Sequence, residues 1–171
     1  MDIVTAWSKE WKLTLNASKC EACYFSTSTK EANWSPKIVI DGTTIRHEKN
    51  PRLLGVILDR TLCFNAHVAI TTKSAINKLK ILSRLAYTDW GSNKFELLKI
   101  YQAIVESRLD YAAPAWQPWL SDTQLGKLES IQNRGLRLIT GQTRSTRVAA
   151  LRLEAGTIGY RAHSNRNTLL S

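Results

Sequence analysis

The spacing of apolar positions changes once along this chain, and the change falls at Arg52-Leu53-Leu54-Gly55-Val56-Ile57-Leu58-Asp59. Ahead of that stretch, short apolar runs alternate with turn residues. Behind it, apolar residues recur every three or four positions. At the start Val4, Trp7, Trp11 and Leu15 fall at i, i+3, i+7 and i+11. That spacing predicts an amphipathic helix over residues 2–15 with its tryptophans in the core. The helix begins almost at Met1 without a cap, so it is expected to continue something upstream. Asn16-Ala17-Ser18-Lys19 reads as a turn, 20–26 as a strand and 26–36 as a polar loop. Ile38-Val39-Ile40 and Thr43-Thr44-Ile45 flank Asp41-Gly42, a two-residue hairpin turn that pairs Ile40 with Thr43 and Ile38 with Ile45. Pro51 blocks helix. The next strand contains Gly55, the mark of a bulge or a close backbone approach.

From Asn65 the period is helical. Val68, Thr72, Ala75, Leu79, Leu82 and Ala86 form a seam, and Lys73, Lys80 and Arg84 fall together on the opposite face with no acidic residue between them. Trp90-Gly91 breaks the chain. Asn93 and Glu96 make a capping box for a helix over 94–112, whose broad apolar face (Leu97, Leu98, Ile100, Tyr101, Ile104, Val105, Tyr111) predicts deep burial. Pro114 is expected to end it, and Trp116-Gln117-Pro118-Trp119 to form a packed aromatic corner. Ser121 and Gln124 box the start of a third helix with a seam of Leu125, Leu128, Gln132, Leu136 and Ile139. Lys127 and Arg134 share another of its faces, with Arg137 beside them. Gly141 stops that helix. A shorter one, 146–155, ends at Gly156, and a polar, basic tail or linker follows from Gly159. The fold class is therefore α+β: a small strand and hairpin part over 1–64, then a helical bundle over 65–158 and a tail over 159–171.

Charge changes the picture. The net charge is +10. Residues 1–59 hold eight basic against seven acidic side chains, and residues 60–171 hold sixteen against seven. The excess on the helical side points to a polyanion partner there, nucleic acid first. A solvated basic face is the plainer reading of the same residues. No run approaches the roughly 18 apolar residues of a membrane span, and the N-terminus lacks a signal-peptide layout. Three cysteines, an odd number, suit a reducing, intracellular compartment, nuclear or cytoplasmic. Cys20 and Cys23 have the C-x-x-C spacing, but zinc takes four ligands, and Cys63 with His67 is not joined by a second nearby pair. Small buried apolar residues are the simpler account. There is no P-loop and no dinucleotide fingerprint, and His47, His67 and His163 are far apart.

Several segments together resemble one family. Trp11-x-Leu13-x-Leu15-Asn16-x-x-Lys19 resembles the segment after the catalytic aspartates of non-LTR (LINE-type) retrotransposon reverse transcriptases. Leu53-Leu54-Gly55-Val56-x-Leu58-Asp59 and Leu62-x-Phe64-x-x-His67 resemble their primer-grip hairpin and thumb entry. Trp90-Gly91, Leu98-x-x-Tyr101, Leu109-x-Tyr111-x-x-Pro114-x-Trp116 and Leu128-x-x-x-Gln132-Asn133-x-x-Leu136-Arg137-x-x-Thr140-Gly141 are similar to their thumb and connection.

The resemblance implies the end of a polymerase palm followed by a thumb, with a primer–template duplex or RNA–DNA hybrid as partner. It implies a primer grip at Leu54, Gly55 and Val56. Lys19 would be a general acid for the departing pyrophosphate, a task that needs a proton held at neutral pH. Lys73, Lys80, Arg84, Lys127, Arg134 and Arg137 would contact nucleic acid. The family's aromatic-x-Asp-Asp turn is missing, since no Asp-Asp pair occurs in the chain. It would lie upstream, with the fingers and the rest of the palm. The Mg²⁺ of such a polymerase belongs to the full-length enzyme, no cofactor is expected here, and this chain alone is expected not to polymerise. A non-catalytic nucleic-acid-binding module and a decayed remnant without activity are the alternatives.

Overall fold

The computed structural model describes residues 2–28, 30–31, 34–86 and 93–156 of an α+β protein. It divides into two compact units, Met1–Ala66 and His67–Ser171. The Trp90-Gly91 break, His163 and the tail from Gly159 lie outside the described residues.

The first unit opens with α1, Asp2–Glu10. The helix stops five residues short of the expected end, because Lys12 takes a left-handed φ of 54°. The apolar face expected in the core faces water instead: Trp7 is 52% exposed, Trp11 is 64% exposed, and Val4 is exposed with them. The two indole rings lean on each other at 6.4 Å, and only Ser8 of this helix is buried among its described side chains. Leu15 does reach the core, but from beyond the helix, packing with Ala17, Cys20 and Ile38 on buried Ala22, Ile40 and Ile45. A 3₁₀ turn, Ala17–Lys19, is capped by Asn16, whose side chain accepts from the Ser18 N–H at 3.0 Å.

Three short strand pairs follow. β1 (Glu21–Ala22), much shorter than the expected 20–26, pairs in parallel with β4 (Arg46–His47). β2 (Val39–Ile40) and β3 (Thr43–Thr44) form the hairpin expected around Asp41-Gly42, with Ile40 opposite Thr43 and the Ile45 N–H donating to the Ile38 carbonyl at 2.9 Å. Asp41 and Gly42 both have positive φ, 46° and 78°, as a primed turn demands. β5 (Arg52–Leu53) and β6 (Val56–Ile57) form a second antiparallel hairpin. Asp59 organises the chain ahead of the long helix, its carboxylate accepting from the N–H groups of Cys63 at 2.7 Å and Asn65 at 3.0 Å.

The second unit is helical. α2 runs Asn65–Ala86 and buries Val68, Ala75, Leu79 and Leu82 of the expected seam. Thr71 and His67 join them, while Thr72 and Ala86 are half-buried. α3, Lys94–Tyr101, starts at the predicted capping box of Asn93 and Glu96. It passes through a π-helical turn, Gln102–Glu106, into α4, Ser107–Asp110. Leu97, Tyr101, Val105 and Leu109 are buried, but Tyr111 is half exposed. The helix ends before Pro114, not at it. Ala112 turns left-handed (φ 51°), and Pro114 opens the short α5, Ala113–Trp116, at a position where no N–H is needed. A 3₁₀ turn, Gln117–Trp119, completes the corner. Only half of that corner packs. Trp116 is buried, its indole N–H donating to the Tyr111 carbonyl at 3.0 Å and its ring edge-on to His67 at 5.0 Å, whereas Trp119 is exposed. α6, Asp122–Thr140, has the predicted Ser121–Gln124 box and ends at Gly141 (φ 68°). α7, Val148–Ala155, ends at Gly156 (φ 64°) and packs Leu151 and Ala155 on Leu136 of α6.

Tyr101 is, with Trp116, a fully buried aromatic of this core. Its hydroxyl has no hydrogen-bond partner among the described residues. Burial pushes the phenol well above its ordinary range, and the nearby carboxylates of Glu106 and Asp110 push it further. The unfolded chain ionises this phenol near pH 10, so above about pH 10 unfolding releases a proton that the fold retains, and stability falls as pH rises. Tyr101→Phe is expected to remove that alkaline loss. Near neutrality it should leave stability unchanged or raise it by up to about 1 kcal/mol, because no made hydrogen bond is lost. Urea midpoints for both proteins across the alkaline range check this, and an identical alkaline slope in the two would refute it.

Candidate nucleic-acid interface

Two structures carry the residues that the sequence singled out, one in each unit. In the second unit, α2 contains no acidic residue in its length. Its helical period puts Lys73, Lys80 and Arg84 on the face away from Val68, Ala75 and Leu79, and all three are exposed. The second half of α6 lines a hollow together with the second half of α2. The capping box fixes its start and the burial of Leu128, Ile131, Gly135 and Leu136 fixes its rotation, which leaves Arg134 exposed and Arg137 half-buried. The left-handed Gly141 then turns the chain so that Gln142 and Arg144 come to the same place.

The result is a cleft of about 690 Å³ lined by Leu79, Lys80 and Ser83 of α2, Ser130, Arg134, Arg137 and Leu138 of α6, and Gln142 and Arg144. Four of these nine side chains are cationic and none is acidic. Among the described residues none of the four cations is ion-paired. Carboxylates nearby in the fold are engaged elsewhere: Glu129 with Arg152 at 2.6 Å, and Glu154 with Lys94 at 2.7 Å and, at 3.5 Å, with the Gln142 amide. A guanidinium offers a planar fork of donors that suits phosphate oxygens. Four like charges around one hollow repel each other unless an anion is bound.

In the first unit the second hairpin presents Leu54 and Gly55 at its tip. Gly55 is therefore not a bulge within a strand; it is the second residue of a two-residue turn, at φ 84°. Leu54 takes φ 46° and is 84% exposed. A left-handed conformation costs an ordinary L-residue roughly 1–2 kcal/mol, and asparagine is favoured at this position of a primed turn. Leu54→Asn is accordingly expected to stabilise the hairpin by about 1 kcal/mol, read as a raised urea midpoint. An unchanged or lower midpoint would show that the leucine is not strained. Val56, by contrast, is buried.

No family model and no solved structure matches the chain. Curated proteins do. The RNA-directed DNA polymerase from mobile element jockey of Drosophila funebris is 30% identical over 147 residues, which is 82% of this chain and 15% of that protein. Its counterpart in Drosophila melanogaster is 27% identical over 144 residues, with the same coverage. The probable RNA-directed DNA polymerase from transposon X-element of Drosophila melanogaster is 27% identical over 141 residues, 79% of this chain and 14% of that protein. The chain is related to the reverse transcriptases of non-LTR retrotransposons. It spans about 15% of the length of these polymerases.

Within this polymerase-related chain the predicted residues separate into groups. Lys80, Arg134 and Arg137 meet in the cleft, although 54 residues of sequence separate Lys80 from Arg134. Lys73 and Arg84 share a helix face with Lys80 but do not line the hollow, and Lys127 is exposed on α6 outside it. Lys19 lies at the end of the Ala17–Lys19 turn, in the other unit. Arg144 and Gln142 escaped the sequence reading because they lie on no helix face. The signal that could have found them is Gly141, since a left-handed cap reverses the chain toward the helix it has just left.

Proposed function

We propose that this chain is the nucleic-acid-gripping portion of a non-LTR RNA-directed DNA polymerase, a palm end with primer grip joined to a duplex-binding thumb, and that it does not polymerise by itself. The observation that carries this reading is the convergence of Lys80, Arg134, Arg137 and Arg144 on one cleft, continuous with the exposed Lys73–Lys80–Arg84 face of α2. Those cations face phosphates, which fixes position on the nucleic acid and carries no sequence information. The names of the related polymerases make RNA–DNA hybrid the expected ligand. Under the same reading the Leu54-Gly55 tip lies against the primer end and Lys19 serves as a proton donor to pyrophosphate once the rest of the enzyme is supplied.

The residues present do not fit the Mg²⁺ of such a polymerase. The chain has no Asp-Asp pair, and among the described residues no three carboxylate, imidazole or thiol groups gather around one point. No chemical step is therefore assigned to this chain by itself. Among the described residues no helix is long and apolar enough to cross a membrane.

The test is a salt titration. Affinity for a labelled RNA–DNA hybrid should fall linearly on a log–log plot, with a slope of about −0.9 for each phosphate neutralised, so about −3 or steeper if the α2 stripe alone is engaged. A flat response would remove the reading.

A further inference from the structure

We propose that the cleft between α2 and α6 receives the phosphates of an unpaired strand, while duplex lies along the exposed α2 stripe. This deepens the nucleic-acid reading above, on which it rests, by naming the form of nucleic acid that this part of the site takes.

Shape makes the first argument. The cations of the cleft come from three separate segments and surround one hollow of about 690 Å³. A duplex is a stiff rod with a persistence length of about 50 nm; it can lie along a row of exposed side chains such as Lys73, Lys80 and Arg84, but it does not bend into a hollow of that size. A single strand does, and so does a strand end.

Chemistry of the lining makes the second. Among the described residues that line the cleft none is aromatic, and the apolar ones are Leu79 and Leu138. These residues give bases no stacking platform of the kind that single-strand sites use to hold them. What the cleft offers is phosphate chemistry: three guanidinium groups, one ammonium group and the Ser130 hydroxyl. The Ser83 hydroxyl is taken, donating to the Lys80 carbonyl at 2.8 Å.

The third argument is an orphan. Arg137 uses one terminal nitrogen on the Asn133 carbonyl at 3.4 Å, a long bond, and its Nε–H is buried with no hydrogen-bond partner among the described residues. Buried donors are rarely left so. An anion held by this guanidinium brings acceptor oxygens to its free donors. Lys80 belongs to both the stripe and the cleft, which marks the place where a strand leaves the duplex.

The experiment compares three RNA–DNA hybrids of equal paired length: blunt, blunt with a 5′-phosphate, and with an unpaired overhang of about six nucleotides, within the range of known single-strand sites. The overhang is expected to tighten Kd about tenfold and to steepen the salt slope by about 0.7 per phosphate engaged. The double variant Arg137→Gln/Arg144→Gln should lose that gain, weakening the overhang hybrid about tenfold more than it weakens the blunt one. Arg137→Lys, which keeps the charge without the fork, should recover part of it. Lys73→Gln should weaken all three hybrids alike. If the 5′-phosphate alone gives the whole gain, the strand end is the phosphate held; if only the overhang does, internal phosphates are. Equal affinity for all three hybrids in the wild-type chain would overturn the proposal and leave the nucleic-acid reading standing. The same holds if the double variant weakens all three equally. If no hybrid binds even at low salt, the nucleic-acid reading itself has failed. Far-UV circular dichroism of each variant separates lost binding from lost fold.

Discussion

Gly135→Ala is expected to destabilise the helical unit by about 2 kcal/mol, even though alanine is the better helix former. A Cβ built at Gly135 stands 2.3 Å from Tyr101 Cε2 and 3.0 Å from its Cδ2. The ring it meets is fully buried and has no free end to swing aside. Glycine to alanine in a helix interior gains roughly 1 kcal/mol by propensity, but inserting a methyl into a filled core costs about 1–3 kcal/mol, and an overlap this deep puts the cost at the upper end. The same helix supplies the control. A Cβ at Gly126 meets nothing within 4 Å, so Gly126→Ala should gain about 0.5–1 kcal/mol. Urea unfolding of the two variants should therefore move the midpoint in opposite directions. Equal shifts would show that α6 is not held against Tyr101. Gly135 also sits between Arg134 and Arg137 in the chain, so a displaced α6 carries the cleft with it, and hybrid affinity should drop alongside stability.

The second large effect concerns charge. Reversing Lys73, Lys80 and Arg84 to glutamate takes the net charge from +10 to +4, three reversals of two units each. The triple variant should weaken hybrid binding by more than about 100-fold at moderate salt and flatten the salt slope by nearly 3. All three side chains are exposed, so helicity and urea midpoint should hardly move. Lys127→Glu is the comparison, because Lys127 is equally exposed but lies on α6, off the α2 stripe and outside the cleft. A loss there as large as one third of the triple's, on the logarithmic scale, would mean that binding follows overall charge and not this surface.

The elements that could be read from sequence are those whose signals are local. The capping boxes at Asn93 and Ser121 place two helix starts to the residue, because each box satisfies its own backbone donors without outside help. Gly141 and Gly156 end helices for an equally local reason. Failures arise where the outcome depends on what a face meets. Trp7 and Trp11 have core spacing, yet spacing alone does not supply a partner, and both are in water. Pro114 was a stop signal by rule, but proline is equally at home in a first turn, and only the left-handed Ala112 decides between the two. The π-helical turn left a trace that a fixed 100° period cannot register: Leu97, Tyr101, Val105 and Leu109 recur at a strict spacing of four. In a uniform α-helix that row drifts by about 40° each step, and the wide i→i+5 turn at 102–106 slows the drift. For the candidate site, the α2 stripe was legible because one helix carries it. The cleft was not, because it needs Lys80 brought to α6 by tertiary packing, and Arg144 brought back by a turn.

The bare face of α1 has a consequence for the chain as a solute. Ile3, Val4, Trp7 and Trp11 put apolar surface into water on one short helix, and Leu13 continues it. Apolar patches of this kind set solubility limits and promote self-association, while the excess of +10 charges opposes it by mutual repulsion. Salt, which would weaken the proposed grip on phosphates, also screens that repulsion. On the proposed function, the ionic strength that would free this protein from nucleic acid is also the one at which its own copies are expected to come together through the tryptophan face.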